Sequence, residues 1–221
     1  MNIIIEDIIR NAAPQLEVVT IEADVINRDT PDEFWNELAA EATRIASNYQ
    51  MPDINKRPAI AATRAAYKAL GKEPNRYRPS CEALCRRAVK GMELYRINAL
   101  VDIINLISMR SGYSIGGFDA DKIEGDTLCL GAGHEGEEFN AIGRGALNIE
   151  SLPVYRDKIG GIGTPTSDEE RTKLSLDTRR LLMCINIYGV ELPIEDTVNL
   201  SCSLLEKYCS ATNITTKHYH P

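Results

Sequence analysis

Apolar positions recur along this chain with two different periods, and the change from one to the other divides it. Residues 16–26 place Val18, Ile21 and Val25 among polar neighbours, an alternation that predicts a strand. Thr30, Pro31, Asp32 and Glu33 then form a capping box with proline at the first helical position. The helix expected to follow, residues 31–49, carries Trp35, Leu38, Ala42, Ile45, Ala46 and Tyr49 at spacings of three and four. A second helix is predicted over residues 58–70, closed by Gly71. A third starts from Ser80 as N-cap with Glu82 near its positive end. Its expected buried face is Cys81, Leu84, Cys85, Ala88 and Val89, with Arg86, Arg87 and Lys90 pointing elsewhere.

The fourth predicted helix, residues 98–110, is apolar on nearly every side, interrupted only by Asp102, Asn105 and Ser108 at intervals of three. A buried polar group without a partner costs about 1–3 kcal/mol, so this strip has to face water, a ligand cavity or a satisfied internal network. Beyond Gly112 the texture changes to glycines, aspartates and short apolar runs. Residues 127–130, 152–155, 174–176 and 180–188 are strand candidates, and residues 193–208 read as a closing helix with Val198, Leu200, Leu204 and Leu205 inward. The terminal Lys-His-Tyr-His-Pro, with His218 and His220, reads as a frayed tail. Helices followed by strands predict an α+β protein rather than alternating βαβ units. The expected organisation is a single domain, with residues 1–56 contributing a strand and helix that pack on residues 57–221.

Length and composition add exclusions. At 221 residues, 43% apolar and 26% charged, the chain can bury an ordinary core, and no apolar run approaches the roughly 20 residues that span a bilayer. Met1 to Arg10 lacks the features of a secretion signal, so a soluble, cytoplasmic protein is expected. The six cysteines and three histidines lack metal-ligand spacing, so reduced, mostly buried thiols and no metal or other cofactor are expected. The net charge of −7 conceals an asymmetry: between Lys56 and Arg96 eleven basic residues face three acidic ones, a local +8 that leaves −15 elsewhere. Fields fade over about 10 Å at 0.1 M salt, so such a segment presents either a nucleic-acid surface or merely two solvated basic helix faces.

Two motifs bear on chemistry. Gly131-Ala-Gly-His-Glu-Gly136 has the form of a dinucleotide-binding loop, but Glu137 and Glu138 sit where an anion would bind and Gly143 and Gly145 break any following helix. A glycine-rich hairpin or loop is the expected structure. Gly163-Thr-Pro-Thr-Ser-Asp168 gathers three hydroxyls in a stiff turn suited to cradle a carbonyl oxygen or phosphate, and Ser167 to Glu170 also fits a capping box. No Ser-His-Asp or Cys-His set can be assembled.

Together, Arg78-Pro-Ser-Cys-Glu-Ala-Leu-Cys-Arg-Arg87, Leu100-Val-Asp-Ile-Ile-Asn105, Gly117-Phe-Asp119 with Asp121, and Gly136-Glu-Glu-Phe139 resemble the tRNA-editing domain of the phenylalanyl-tRNA synthetase beta subunit. Residues 150–157, 163–168, Arg171 and Thr172 look more like that domain's free-standing relatives. Over roughly residues 57–190 the resemblance implies three layers, helices packed on a β-sandwich-like core, and a pocket for the acylated 3′ end of tRNA. It also implies a function, hydrolysis in trans of the ester of a misacylated tRNA, which compensates for limited discrimination by binding alone. Neither DNA nor a membrane is expected as a partner, and no feature fixes an oligomeric state. Position by position, the resemblance places Asp102 and Asn105 at the pocket. Gly116, beside Gly117, stands where the family has a tyrosine-reading histidine, and Met183 near its tyrosine-binding glutamate. Those departures leave open a more apolar pocket floor or a different amino acid. Asn105, Thr164, Thr166 and Ser167 are the expected catalytic positioning groups, Asp168 is a candidate base or else a cap, and Arg76, Arg78, Arg86 and Arg87 are the expected RNA contacts. A non-catalytic RNA-binding module and an amino-acid-binding protein are the alternatives.

Overall fold

The apolar run 180–188 forms the strand around which the molecule is layered. The computed structural model describes residues 1–220. In chain order its elements are β1 (Asn2–Ile5), α1 (Asp7–Ala12), β2 (Glu17–Asp24), α2 (Asp32–Asn48), α3 (Pro58–Ala69), α4 (Ser80–Val89), α5 (Ala99–Ser111), β3 (Ser114–Asp119) and β4 (Thr127–Ala132). They are followed by β5 (Asn140–Ala141), β6 (Gly145–Ala146), β7 (Pro153–Arg156), β8 (Gly161–Gly163), β9 (Arg180–Ile187), α6 (Ile194–Cys209) and β10 (Thr212–Tyr219).

β9 is central in the antiparallel sheet β10-β2-β9-β3 and is buried from Leu181 onward. Strand side chains alternate between faces, so a strand buried on both has no polar side. Leu181, Met183, Ile185 and Ile187 enter a core shared with the helices, whereas Leu182 and Cys184 enter a second core. That second core is closed by the sheet β1-β4-β7-β8 through Ile3, Ile5, Leu128, Leu130, Tyr155 and Ile162. Helices on one sheet and a second sheet behind it make the α+β class that the pattern predicts and the three layers with a sandwich-like core that the resemblance implies. The second sheet joins β1 to β4 in parallel and its other strands antiparallel. Neither sheet closes into a barrel.

α5 packs against α2, α4, α6 and β3, which explains an apolar sequence on nearly all its sides. Each fully buried leucine or isoleucine here contributes about 1.5–3 kcal/mol. Its start is capped by the Asn98 side chain, which accepts from Val101 N–H. α3 ends as expected at Gly71, whose φ of +89° is a left-handed conformation that glycine adopts without a Cβ penalty.

Several local expectations are corrected. Thr30 does not cap α2; its hydroxyl donates to the buried Asp102 carboxylate, and Pro31 occupies the N-cap position. α2 buries Phe34 and Glu41 beside Leu38 and Ile45, while Trp35 stays partly exposed. Pro79 rather than Ser80 is the N-cap residue of α4, and Ser80 N–H donates to Pro165 O at 2.8 Å. No capping box forms at Ser167: Ser167 N–H bonds to Thr164 Oγ1, and the short 3-10 turn Glu170–Thr172 is capped by Glu169. Residues 174–176 lie in a loop. Residues 217–219 of the expected tail instead end β10, an exposed edge strand paired to β2, with His218 Nδ1 2.6 Å from Glu17 Oε1, and Pro221 lies outside the described residues.

Glu82 is fully buried on α4 and faces Arg64 Nη1 of α3 at 2.9 Å and Arg86 Nε at 2.7 Å. Removing one partner of a buried ion pair leaves the other charge uncompensated, at about 3–5 kcal/mol. Glu82→Gln is therefore expected to lower unfolding free energy by about that amount in urea titration. Asp121→Asn, which breaks an exposed pair with Arg180, should cost about 0–1 kcal/mol. Equal small losses from both would show that Glu82 does not hold α3 to α4.

Candidate nucleic-acid interface

The +8 segment separates on folding into internal and surface charges. Arg57 is buried beneath α5, donating to Met109 O and pairing with Glu191 at 2.7 Å. Arg64 is committed to Glu82, and Lys72 donates to the carbonyls of Asn148 and Glu150. Of the remaining cations, Lys56 pairs with Asp53 and Arg96 with Asp32, while four gather on one side of α4. There Arg78, Arg86, Arg87 and Lys90 line a groove of about 520 Å³ together with Met51, Ser80, Ala83, Leu84, Met92, Tyr95, Asn105 and Arg144. Five cations and no carboxylate line it, and Glu82 beneath the floor orients Arg86.

Asn105 is the member of the α5 polar strip that reaches this groove. Asp102, one turn earlier, is fully buried, and its oxygens are occupied by the Thr30 hydroxyl and, at 3.3 Å, by Ile97 N–H. Burial raises its pKa, an effect opposed by those hydrogen bonds. Ser108 is buried in the core-facing part of the helix. The strip thus divides between an internal network and an open groove.

The loop 163–168 lies against the start of α4 through Ser80 N–H to Pro165 O, and through the Thr166 hydroxyl, which donates to Tyr77 O at 3.2 Å. Its hydroxyls are largely used internally. Thr164 Oγ1 accepts from the N–H groups of Thr166 and Ser167 and donates to Ser167 O, and Thr166 Oγ1 lies 2.9 Å from the buried Tyr67 hydroxyl. The loop is a stiff, internally bonded turn rather than a set of free donors, and none of its residues lines the groove. At its end, half-buried Asp168 accepts from Gly117 N–H at 3.4 Å. A Cβ on Gly163 would lie 2.7 Å from Asp168 Oδ1, and one on Gly116 would lie 2.7 Å from the Phe118 ring. A side chain at either position would collide with these groups. Burial pushes the Asp168 carboxyl up to about 7, an effect that the Gly117 hydrogen bond only partly opposes.

Other expected site residues are distributed elsewhere. Met183 is fully buried opposite Gly117 in the helix-facing core. Arg76 is exposed outside the groove lining, with its guanidinium 5.6 Å from the Tyr77 ring centroid. Arg144, Tyr95 and Met92 were not legible as site residues. Arg144 arrives from the β5–β6 hairpin, far along the sequence, and the two others from an irregular segment with no periodicity to mark it.

Alternative chemistries find little support. Burial pushes Cys81 up to about 12 and Cys85 up to about 11, so neither thiol is a thiolate at neutral pH. Among the described residues no disulfide or metal-holding cluster of His, Cys, Asp and Glu occurs, and no helix is long and apolar enough to cross a membrane. Gly131 lies at the end of β4 with no helix after it, so the GxGxxG sequence has no helix N-terminus to offer a pyrophosphate.

Residues 62–191 match the B3/4 domain family. Over 100 residues the chain is 35% identical to the phenylalanine–tRNA ligase beta subunit of Bartonella henselae and 34% identical to that of Bartonella quintana. The shared stretch is 44% of this chain and 12% of each relative, so the chain corresponds to a small part of those proteins. An N-terminal fragment of the phenylalanyl-tRNA synthetase beta subunit from Pyrococcus horikoshii is similar over the whole chain and 54% of that fragment, with a TM-score of 0.49 and 12% identity.

The raised Asp168 pKa has a consequence for stability. The folded state holds this proton more tightly than the unfolded chain, whose carboxyl titrates near 3.8, so the contribution is full below about pH 4 and is lost as pH rises through 7. Asp168→Asn removes that loss. Denaturation curves from pH 4 to 8 are expected to show the variant gaining on the parent protein as pH rises, whereas a constant difference would contradict the raised pKa.

Proposed function

Because the chain belongs to the B3/4 domain family, we propose that its groove receives the 3′ end of tRNA and that it hydrolyses the ester of a misacylated tRNA there. The observation that carries this reading is the groove lined by Arg78, Arg86, Arg87, Lys90 and Arg144 without an acid, with Asn105 and Ser80 in the same lining. Phosphate affinity comes from such cations, while the amide and hydroxyl can orient a polar group without adding charge. The Bartonella relatives are by name ligases acting with tRNA, which points to the same polyanion. The net charge of −7 then makes binding weak and salt-sensitive, suited to transient visits.

Hydrolysis in this reading adds water to the ester carbonyl, expels the ribose oxygen as a hydroxyl that takes one of the water's protons, and leaves the amino acid as a carboxylate with the other proton released to solvent. Its requirements are an oriented water and stabilisation of the oxyanion. Asn105 is assigned to positioning, with the free ribose hydroxyl of the terminal nucleotide assisting. Thr164, Thr166 and Ser167 hold the loop 163–168 against the start of α4, and Asp168, titrating near neutral pH, is the group assigned to exchange a proton. Gly117 N–H holds Asp168, Gly116 leaves room for the Phe118 ring, and Asp102 and Met183 act from the core through packing.

One observation favours a second reading, binding without chemistry: the Thr164 and Thr166 hydroxyls are already engaged within the protein. A panel of misacylated tRNAs separates the two. Ester loss above the buffer rate with at least one pair is expected, falling about 10²-fold or more in Asn105→Ala if that side chain stabilises the oxyanion. Binding of every tRNA with no ester loss would establish the non-catalytic reading, and full activity in a folded Asn105→Ala would remove Asn105 from the chemistry.

A further inference from the structure

The basic groove continues past α4. Met92 is shared with a neighbouring recess of about 300 Å³ that is also lined by Trp35, Ala39, Ala42, Glu93 and Leu94. Trp35, Ala39 and Ala42 belong to α2, which lies outside the residues matched by the family. The segment joining the two recesses, residues 90–97, has neither helix nor strand and is fastened at both ends by arginines. Arg87 Nε donates to Glu93 O, and its guanidinium lies 4.2 Å from the Tyr95 ring centroid. Arg96 donates to Thr30 O, pairs with Asp32 and lies 5.6 Å from the Trp35 ring centroid.

This fastening holds apolar side chains out in water. Met92 is 48% exposed and Tyr95 68% exposed, and Trp35 is only partly covered. Left bare, such a surface carries an apolar hydration cost. Aromatic faces interleaved with cations form the surface on which successive unpaired bases stack while their phosphates are neutralised. Of the two carboxylates nearby, Glu93 lines the recess and Asp32 is paired with Arg96. Trp, Tyr and Arg also anchor protein partners, but the cation-only lining next door selects a polyanion.

We propose that α2 extends the nucleic-acid surface: a second nucleotide of a single-stranded RNA 3′ end stacks on Trp35 across the Met92 shelf, with its phosphate neutralised by Arg87 and Lys90. This rests on the reading that the basic groove takes an RNA 3′ end, and adds to it a contact outside the family match and a minimum strand length.

Trp35 is the only tryptophan in the chain, so its fluorescence reports directly on this contact. Single-stranded RNAs of one, two and four nucleotides, with heparin as a sequence-free polyanion, are titrated into the 221-residue protein. Anisotropy of labelled RNA measures binding independently. Emission should be quenched by the two- and four-nucleotide strands and little by the mononucleotide or heparin. Trp35→Ala, shown by circular dichroism to be folded, should weaken the longer strands by about 5- to 150-fold and leave the mononucleotide unchanged, with Trp35→Phe largely restoring affinity. RNA that binds without quenching and with equal affinity for Trp35→Ala would overturn the proposal while leaving the groove reading intact. Equal quenching by heparin would also overturn it, by reducing the surface to a polyanion site. No RNA binding at all would overturn both readings.

Discussion

The buried carboxylate of Glu82 is the point on which the helical layer and the basic groove both depend. It is fully inaccessible, and ionised carboxylates are tolerated there only with compensating cations. Arg64 supplies compensation from α3 and Arg86 from the next turn of α4, with Arg78 Nε more distant at 3.9 Å. One pairing joins two helices; the other fixes the direction of a groove-lining guanidinium. The same charge that secures the fold thus preorganises the surface, lowering the entropy that Arg86 would lose on meeting a phosphate.

Asp102 plays the corresponding part at the other rim. By accepting from the Thr30 hydroxyl and Ile97 N–H, it ties the start of α2 and the end of the 90–97 segment to α5, one turn before Asn105. Arg87 and Arg96 fix the segment between, so Tyr95 and Met92 are displayed by a braced loop. Preorganisation by buried acids and surface arginines accounts for why a chain of net charge −7 can present a concentrated cationic face.

How much of this was legible in the sequence follows from where each signal resides. α3 with Gly71, the wholly apolar α5 and the doubly buried β9 are periodic or compositional features, and each lies within a few residues of its predicted place. β10 escaped because an exposed edge strand carries no inward-facing alternation, and β3 because Gly116 and Gly117 offer no side chains to pattern. Thr30 looked like a helix cap because capping and a long-range bond to Asp102 use the same hydroxyl. Asn105 could be found, since a polar residue recurring every third position in an apolar helix requires an outlet. Arg144 could not, because only the fold brings its hairpin to α4. The local charge of the basic segment was legible, but not its division into buried anchors such as Arg57 and Arg64 and groove cations such as Arg87.

The central claim is that the groove holds the 3′ end of tRNA rather than its helical body. Its most direct test compares deacylated tRNA with the same tRNA lacking its 3′-terminal nucleotides, each titrated against the protein across a salt series. Removal of those nucleotides is expected to weaken binding and to flatten the dependence of log affinity on log salt by about 0.7 for each single-strand phosphate that the protein no longer neutralises. Equal affinities and equal slopes for the two RNAs would contradict the account.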